Sequence, residues 1–361
     1  MEKRAILHRG RPLDCFPTSE SSMYLRLRAA RGDLDEAVVV FSDNKFEWTT
    51  KPRIEQRMEL LRSDELYDYF GTELALEDTR LAYVFRLSSG GERFYLCEEG
   101  VSRDFVWDLG YFNYFQYPYI HKSDVMRVPE WTRGAVCCQI FPERFRIGSA
   151  EKDRSYINLA WGERPSPKSF AGGDLRGIEE GLDYLAETGV SCIYMTPVFL
   201  SPSNHKYDIE DYYRVDPRFG GDEALRSLIT SAHERGMRVV LDGVFNHVGR
   251  GFWAFRDVQE KKWDSPYKDW YKGVNFDWQS PCGDSFGYEA WQGHFELPCL
   301  NLFNPDVRSY LFDVIRFWID EFDIDGIRLD CANVLDFNFM KEMRSQTEAM
   351  KEDFWLMGEV I

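Results

Sequence analysis

Asp325-Gly326-Ile327-Arg328-Leu329-Asp330 ends an apolar run on one arginine and one carboxylate, and the reading of these six residues decides the fold. Taken as a strand, the stretch alternates: Arg328 and Asp330 share one face while Ile327 and Leu329 share the other. A guanidinium beside a carboxylate favours the anion, which is the form a nucleophile needs. An ion pair at the C-terminal end of a strand fits the active rim of a (β/α)8 barrel, although a purely structural Arg–Asp pair reads the same from these residues alone. A second stretch, Phe354-Trp355-Leu356-Met357-Gly358-Glu359-Val360, is another apolar strand that ends on an acid. The segment from Asp336 to Met350 between them is amphipathic, so the order is strand, helix, strand, and a parallel unit brings both strand ends to one rim. Paired carboxylates on one rim are the arrangement of glycoside hydrolysis.

Working outward, the 361 residues exceed one average domain, and a chain that is 44% hydrophobic and 16% aromatic can build a packed core. The net charge of −17 argues against a nucleic-acid backbone or an anionic membrane as partner, since both attract basic surfaces. A neutral polysaccharide is compatible with it. The start, Met1 to Gly10, turns polar before an apolar signal region forms, and no run approaches a membrane span, so a cytoplasmic location is expected. The eight cysteines lack a CxxC or zinc-type spacing; Cys137, Cys138, Cys192 and Cys331 sit in strand-like runs and read as buried free thiols.

Residues 1–125 read as an all-β module: Met23 to Arg28 alternates, Ala37 to Phe41 is β-branched and Leu81 to Leu87 follows, with turn signals between them. From 126 the period changes. Ala135 to Phe141 is the first candidate barrel strand, Ile178 to Thr188 a helix and Cys192 to Met195 the second strand. A helix from Asp222 to Arg235 follows, with an Asp as its cap, and Met237 to Asp242 is the third strand. The segment 249–302, dense in Trp, Tyr and Phe, is too long for an ordinary connection, and such loops are usually functional. Asn304-Pro305-Asp306 then opens a helix that runs to about Glu321.

Four blocks carry a resemblance. Asp242-Gly243-Val244-Phe245-Asn246-His247, Leu297-Pro298-Cys299-Leu300-Asn301, Gly326-Ile327-Arg328-Leu329-Asp330 and Gly358-Glu359-Val360 occur in that order. On them the chain resembles the α-amylase superfamily and, within it, the cyclomaltodextrinase, neopullulanase and maltogenic amylase group. The resemblance implies an N-terminal β-sandwich similar to a starch-binding module, a linker at Phe115 to Ile120, and a (β/α)8 TIM barrel in residues 126–361. Of that barrel about five strands are present, with residues 249–302 as the domain B insertion after the third. The substrate expected is an α-glucan oligosaccharide, cyclodextrin or pullulan, and the N-terminal domain is the expected face of a homodimer.

Asp330 is then the expected nucleophile and Glu359 the expected general acid/base, with their carboxyls about 5 to 5.5 Å apart and the anomeric configuration retained. By the same resemblance Tyr207 stacks on the glucose being cleaved, His247 hydrogen-bonds that ring, Arg328 orients Asp330, and Asp242 and Asn246 support the rim. Asp208 has no partner visible in the sequence. Cys299 stands where the group carries a Lys and Val334 where it carries a Glu, which leaves the preference among branched, cyclic and linear glucans open. No cofactor is expected. The group often holds calcium in the loop after the first strand, but Ile147, Ser149 and Lys152 occupy the places of oxygen ligands, and an ammonium repels a cation; no metal is expected there, with Lys152 standing in for its charge. The alternatives are a transglycosylase using the same covalent intermediate and an inactive barrel serving as a scaffold. Since Ile361 follows Glu359 by two residues, the 361 residues are expected to be part of a longer enzyme, and inactive and prone to aggregate alone.

Overall fold

A computed structural model describes residues 1–42, 48–108, 113–148, 152–160 and 162–361. The chain divides into two compact units, Met1–Arg127 and Val128–Ile361.

The first unit is a pair of antiparallel sheets. One runs in the order Cys15–Ser19, Ser22–Ala30, Tyr67–Ala75, Glu59–Ser63; the other in the order Ile54–Arg57, Glu36–Ser42, Leu81–Ser89, Glu92–Cys97, Gly100–Ser102. Strict alternation in Ser22–Ala30 sends Met23, Leu25, Leu27 and Ala29 inward, where they meet Val39, Phe41, Tyr83 and Phe85 of the facing sheet. The second sheet is also covered on its outer side, where Val38, Val40, Ala82 and Val84 pack with Trp48 and Tyr114. That is why Ala37 to Phe41 and Leu81 to Phe85 are apolar without alternation. Phe115–Tyr117, expected as linker, is a strand of this unit: Phe115 pairs with Tyr83 and its ring lies 5.3 Å from that of Tyr83.

The second unit is built on a five-stranded parallel sheet, Cys137–Ile140, Cys192–Met195, Arg238–Gly243, Gly326–Leu329 and Trp355–Gly358, in chain order from edge to edge. Among the described residues each end strand has one neighbour. Helices follow the strands and bury Leu225, Leu228 and Ile229, or Leu311, Ile315, Trp318 and Ile319, against the sheet. Gly326 is required by the register: a Cβ there would lie 2.5 Å from the Trp355 carbonyl of the next strand.

Three local expectations need correcting. The helix expected from Ile178 to Thr188 is two short helices, Leu175–Glu179 and Leu182–Glu187, broken at Gly181, and the first is capped by Asp174 accepting from Gly177 N at 2.8 Å. The Gly221–Glu234 helix has no side-chain cap. It starts from Gly220 at φ 104, and Asp222 turns away to accept the Val215 N–H at 2.8 Å. Finally, no thiol is paired; Cys15, Cys97, Cys192, Cys299 and Cys331 are buried, but Cys137 is exposed and Cys138 half-buried.

Residues 249–302 form a compact insertion around Asp284, a buried carboxylate that accepts from Arg250 at 2.5 Å, Gln259 at 2.9 Å, Ser280 at 2.7 Å and Tyr288 at 3.0 Å. Most of its aromatics serve its own core. Phe255, Tyr271, Phe286 and Tyr288 are buried together, while Trp253, Trp263 and Trp278 are exposed.

Candidate active site

At the C-terminal ends of the third, fourth and fifth strands, one guanidinium holds three carboxylates. Arg328 and Asp242 are register partners on adjacent strands, so their side chains emerge side by side, and Arg328 Nη1 donates to both Asp242 oxygens at 2.8 and 3.0 Å. Two residues on, along the same face, Asp330 Oδ1 accepts from Nη1 at 2.9 Å. Arg328 Nη2 lies 2.7 Å from Glu359 Oε2. The ladder extends past the strand ends, with Asp330 N donating to Gly243 O and Glu359 N to Leu329 O, and this brings both acids to one level of the rim. One oxygen of Asp330, the Cys331 sulfur and one oxygen of Glu359 all lie within 4.8 Å of one another.

The electrostatics differ from the simple pairing read in the sequence. Burial pushes the Asp330 carboxyl above its usual range, with Arg328 and Cys331 pulling the other way. Burial also raises Asp242, to about 7, against the pull of Arg328 and of the Tyr194 hydroxyl. Asp242 is nearly inaccessible, and besides Arg328 it accepts from Tyr194 OH at 2.5 Å and Tyr207 OH at 3.0 Å. It is therefore the fixed base of the cluster: it steadies Arg328 from below and Tyr207 from the side.

Tyr207 comes from a loop that sequence reasoning resolved only in part. Lys206, 1% exposed and at φ 61, donates its ammonium to Asp216 and to the carbonyls of Ser201 and Ser203, each at 3.2 Å. A buried lysine with three acceptors is satisfied, and it pins the turn that presents Tyr207. Asp208 also has partners, the hydroxyls of Ser201 and Ser203.

His247 is buried, and its ring lies 5.7 Å from that of Trp291 in the insertion. Burial, together with the charge of His205, lowers it to about 4, so the imidazole is neutral. Its Nδ1 accepts from Asn246 Nδ2 at 3.3 Å, and its Nε2 has no hydrogen-bond partner among the described residues. A buried ring nitrogen without a protein partner is the kind of group a ligand satisfies. Asn246 also reaches the Cys299 sulfur at 3.9 Å, and its carbonyl accepts from Leu300 N, which ties the third strand's loop to the end of the insertion. The sequence reading missed Tyr194, Lys206, Trp291 and Cys331; only Cys331, next to Asp330, stood where a signal could have been found.

Residues 139–361 match the family model described as alpha amylase, catalytic domain, and residues 1–121 match that of the alpha amylase N-terminal ig-like domain. The chain belongs to the alpha-amylase family. This alpha-amylase family chain is 40% identical to a cyclomaltodextrinase of Geobacillus thermopakistaniensis over all of its own length and 61% of the relative's. It is 38% identical to the intracellular maltogenic amylase of Bacillus subtilis, again over all of this chain and 61% of the relative. It is 40% identical to neopullulanase 2 of Thermoactinomyces vulgaris over 99% of this chain and 60% of the relative. Among solved structures, a cyclomaltodextrinase superposes with a TM-score of 0.86 at 36% identity, covering 100% of this chain and 61% of the other. The chain thus spans about 61% of the length of these relatives. It carries the N-terminal Ig-like domain and part of the alpha-amylase catalytic domain.

In the loop after the first strand a lysine occupies the place a cation would take. Lys152, with its side chain 8% exposed, donates to Gly172 O at 2.7 Å and pairs with Asp174 Oδ2 at 3.1 Å. Asp174 Oδ1 is taken by Gly148 N at 3.0 Å and Gly177 N, and Asp153 turns to Ser155 N and Oγ. Ser149 lies outside the described residues. A buried ammonium already bonded to the oxygens a cation would need does not fit a calcium ion.

Proposed function

We propose that the protein carrying this chain is a retaining glycoside hydrolase, acting on α-1,4 and also α-1,6 glucosidic bonds of maltodextrin, cyclodextrin or pullulan. The observation that carries the reading is the close pair of rim carboxylates, Asp330 and Glu359, with oxygens within 4.8 Å of each other. Retaining enzymes hold the two carboxyls about 5 to 5.5 Å apart and inverting ones about 6.5 to 9.5 Å, and the contact of both acids with the one guanidinium of Arg328 favours the closer arrangement. With Oδ1 held by Arg328, Asp330 Oδ2 is the oxygen left to attack the anomeric carbon. The C1–O glycosidic bond breaks as Glu359 gives its proton to the leaving oxygen. In the second half Glu359 takes a proton from water, whose oxygen attacks C1 and frees Asp330. Tyr207, its hydroxyl tied to Asp242, offers a ring face to the sugar, and His247 Nε2 offers a neutral hydrogen-bonding group to a ring hydroxyl. The names of the relatives support the substrate class, and that of the Bacillus subtilis relative supports an intracellular location. Among the described residues no helix is long and apolar enough to cross a membrane.

The test is to digest maltotriose and maltodextrin with the full-length protein and follow the first product by proton NMR. The α-anomer is expected before mutarotation; a β-anomer as first product would refute retention, and no hydrolysis of any α-glucan would refute the activity. Adding an acceptor sugar in the same assay separates hydrolysis from transfer.

Stability is proposed to be independent of calcium, because Lys152 supplies the positive charge at the loop. Chelator is expected to leave the melting temperature unchanged. Lys152→Met, which removes the buried ammonium paired with Asp174 Oδ2, is expected to cost about 3 kcal/mol in urea unfolding. A melting temperature that falls with chelator and recovers with calcium would overturn this.

A further inference from the structure

We infer that Cys331 is a positioning residue for the nucleophile: its thiol orients the attacking oxygen of Asp330, and its N–H holds Glu359. The inference rests on the reading of Asp330 as nucleophile.

In a continued strand the residue after Asp330 would point to the opposite face. Cys331 instead adopts φ 50 and ψ 42, the left-handed conformation that non-glycine residues rarely take. The turn folds it back onto the site. Its N–H donates to Glu359 Oε2 at 3.1 Å, and its Sγ lies 3.3 Å from Asp330 Oδ2. The two Asp330 oxygens are therefore distinguished: Oδ1 carries the guanidinium, and Oδ2 carries only the thiol among the hydrogen bonds it makes within the described residues.

Burial and the Asp330 charge push the thiol up to about 12, so it keeps its proton. The single S–H proton is directed at Asp330 Oδ2. A thiol is a weak donor. It can fix the direction of Oδ2 and still yield it when C1 approaches, whereas a hydroxyl would make a shorter, stronger bond to the carboxylate and release it less readily.

The test uses the full-length protein with Cys331→Val and Cys331→Ser, reading the acid limb of kcat/KM against pH and the kcat on maltodextrin. The groups facing Asp330 (Arg328, Asp242, Glu359, Tyr207 and Tyr212) are the same in all three proteins. A donor to Oδ2 favours the anion, so its loss in the Val variant is expected to move the acid limb up by about 0.5 pH unit. The stronger hydroxyl donor is expected to move it down by a similar amount while lowering kcat about threefold or more. If the Val variant melts early, Cys331→Ala supplies the same loss of donor without added bulk. A role confined to packing would not displace the limb in opposite directions, and limbs that stay together or move the same way overturn the inference. Asp330→Asn is run alongside. If it remains active, the reading of Asp330 has failed; if it is inactive and the limbs do not diverge, only the role of Cys331 has.

Discussion

Asp330→Asn in the full-length protein is expected to retain less than about one-thousandth of wild-type turnover on maltodextrin, with the melting temperature little changed. The substitution keeps the shape of the side chain and an oxygen for Arg328 Nη1, which holds Oδ1 at 2.9 Å. It removes the anion that, in the proposed mechanism, forms the bond to C1. Since Glu359 and Asp242 remain on the same guanidinium, the rim keeps its scaffold and the loss falls on the chemical step. Initial rates at saturating substrate and circular-dichroism melts are the measurements. Activity within tenfold of wild type would remove Asp330 from the role.

The acids were legible because each closes a short apolar strand, and a strand's alternation dictates the facing of its last residues. Arg328 was legible as the partner of Asp330. That it also serves Asp242 and Glu359 was not, because those contacts depend on the register of three strands far apart in sequence, and register leaves no local mark. The same limit hid Tyr194, whose hydroxyl meets Asp242 across two strands. Phe115–Tyr117 was read as linker because three residues carry too little period to signal a strand; its pairing comes from Tyr83 and Phe85, whose rings flank Phe115. Asp222 is a cap residue by composition, yet Gly220 in the left-handed region starts the helix, and the carboxylate is drawn to the Val215 N–H. The burial of Lys206 left no mark in the sequence. Lysines are almost never fully buried unless paired, and the convergence of two carbonyls and Asp216 makes its burial tolerable.

At the opposite end of the strand that bears Arg328, Asp325→Asn is expected to lower stability by about 3 kcal/mol at pH 7. Asp325 is 1% exposed and accepts from His233 Nε2 at 2.7 Å, Arg238 Nη1 at 2.8 Å, Val239 N at 2.9 Å and Lys351 Nζ at 3.3 Å. These donors come from the helix before the third strand, from that strand itself, and from the segment that leads into the fifth, so a single carboxylate ties three consecutive units at the base of the sheet. Burial alone would raise it. The hydrogen bonds from His233 and Val239, with the charges of Lys351 and Arg238, outweigh burial and depress it to about 2. The sign follows from linkage: with an unfolded value of about 3.9, the carboxylate contributes about 2 to 3 kcal/mol above pH ~4, and that contribution is lost as pH falls through 4 toward 2. An asparagine cannot titrate. Urea midpoints of wild type and Asp325→Asn should therefore be well separated at pH 7 and the separation should shrink to about a third by pH 2.5, and a separation that stays constant over that range would show that the network does not act through the charge of Asp325.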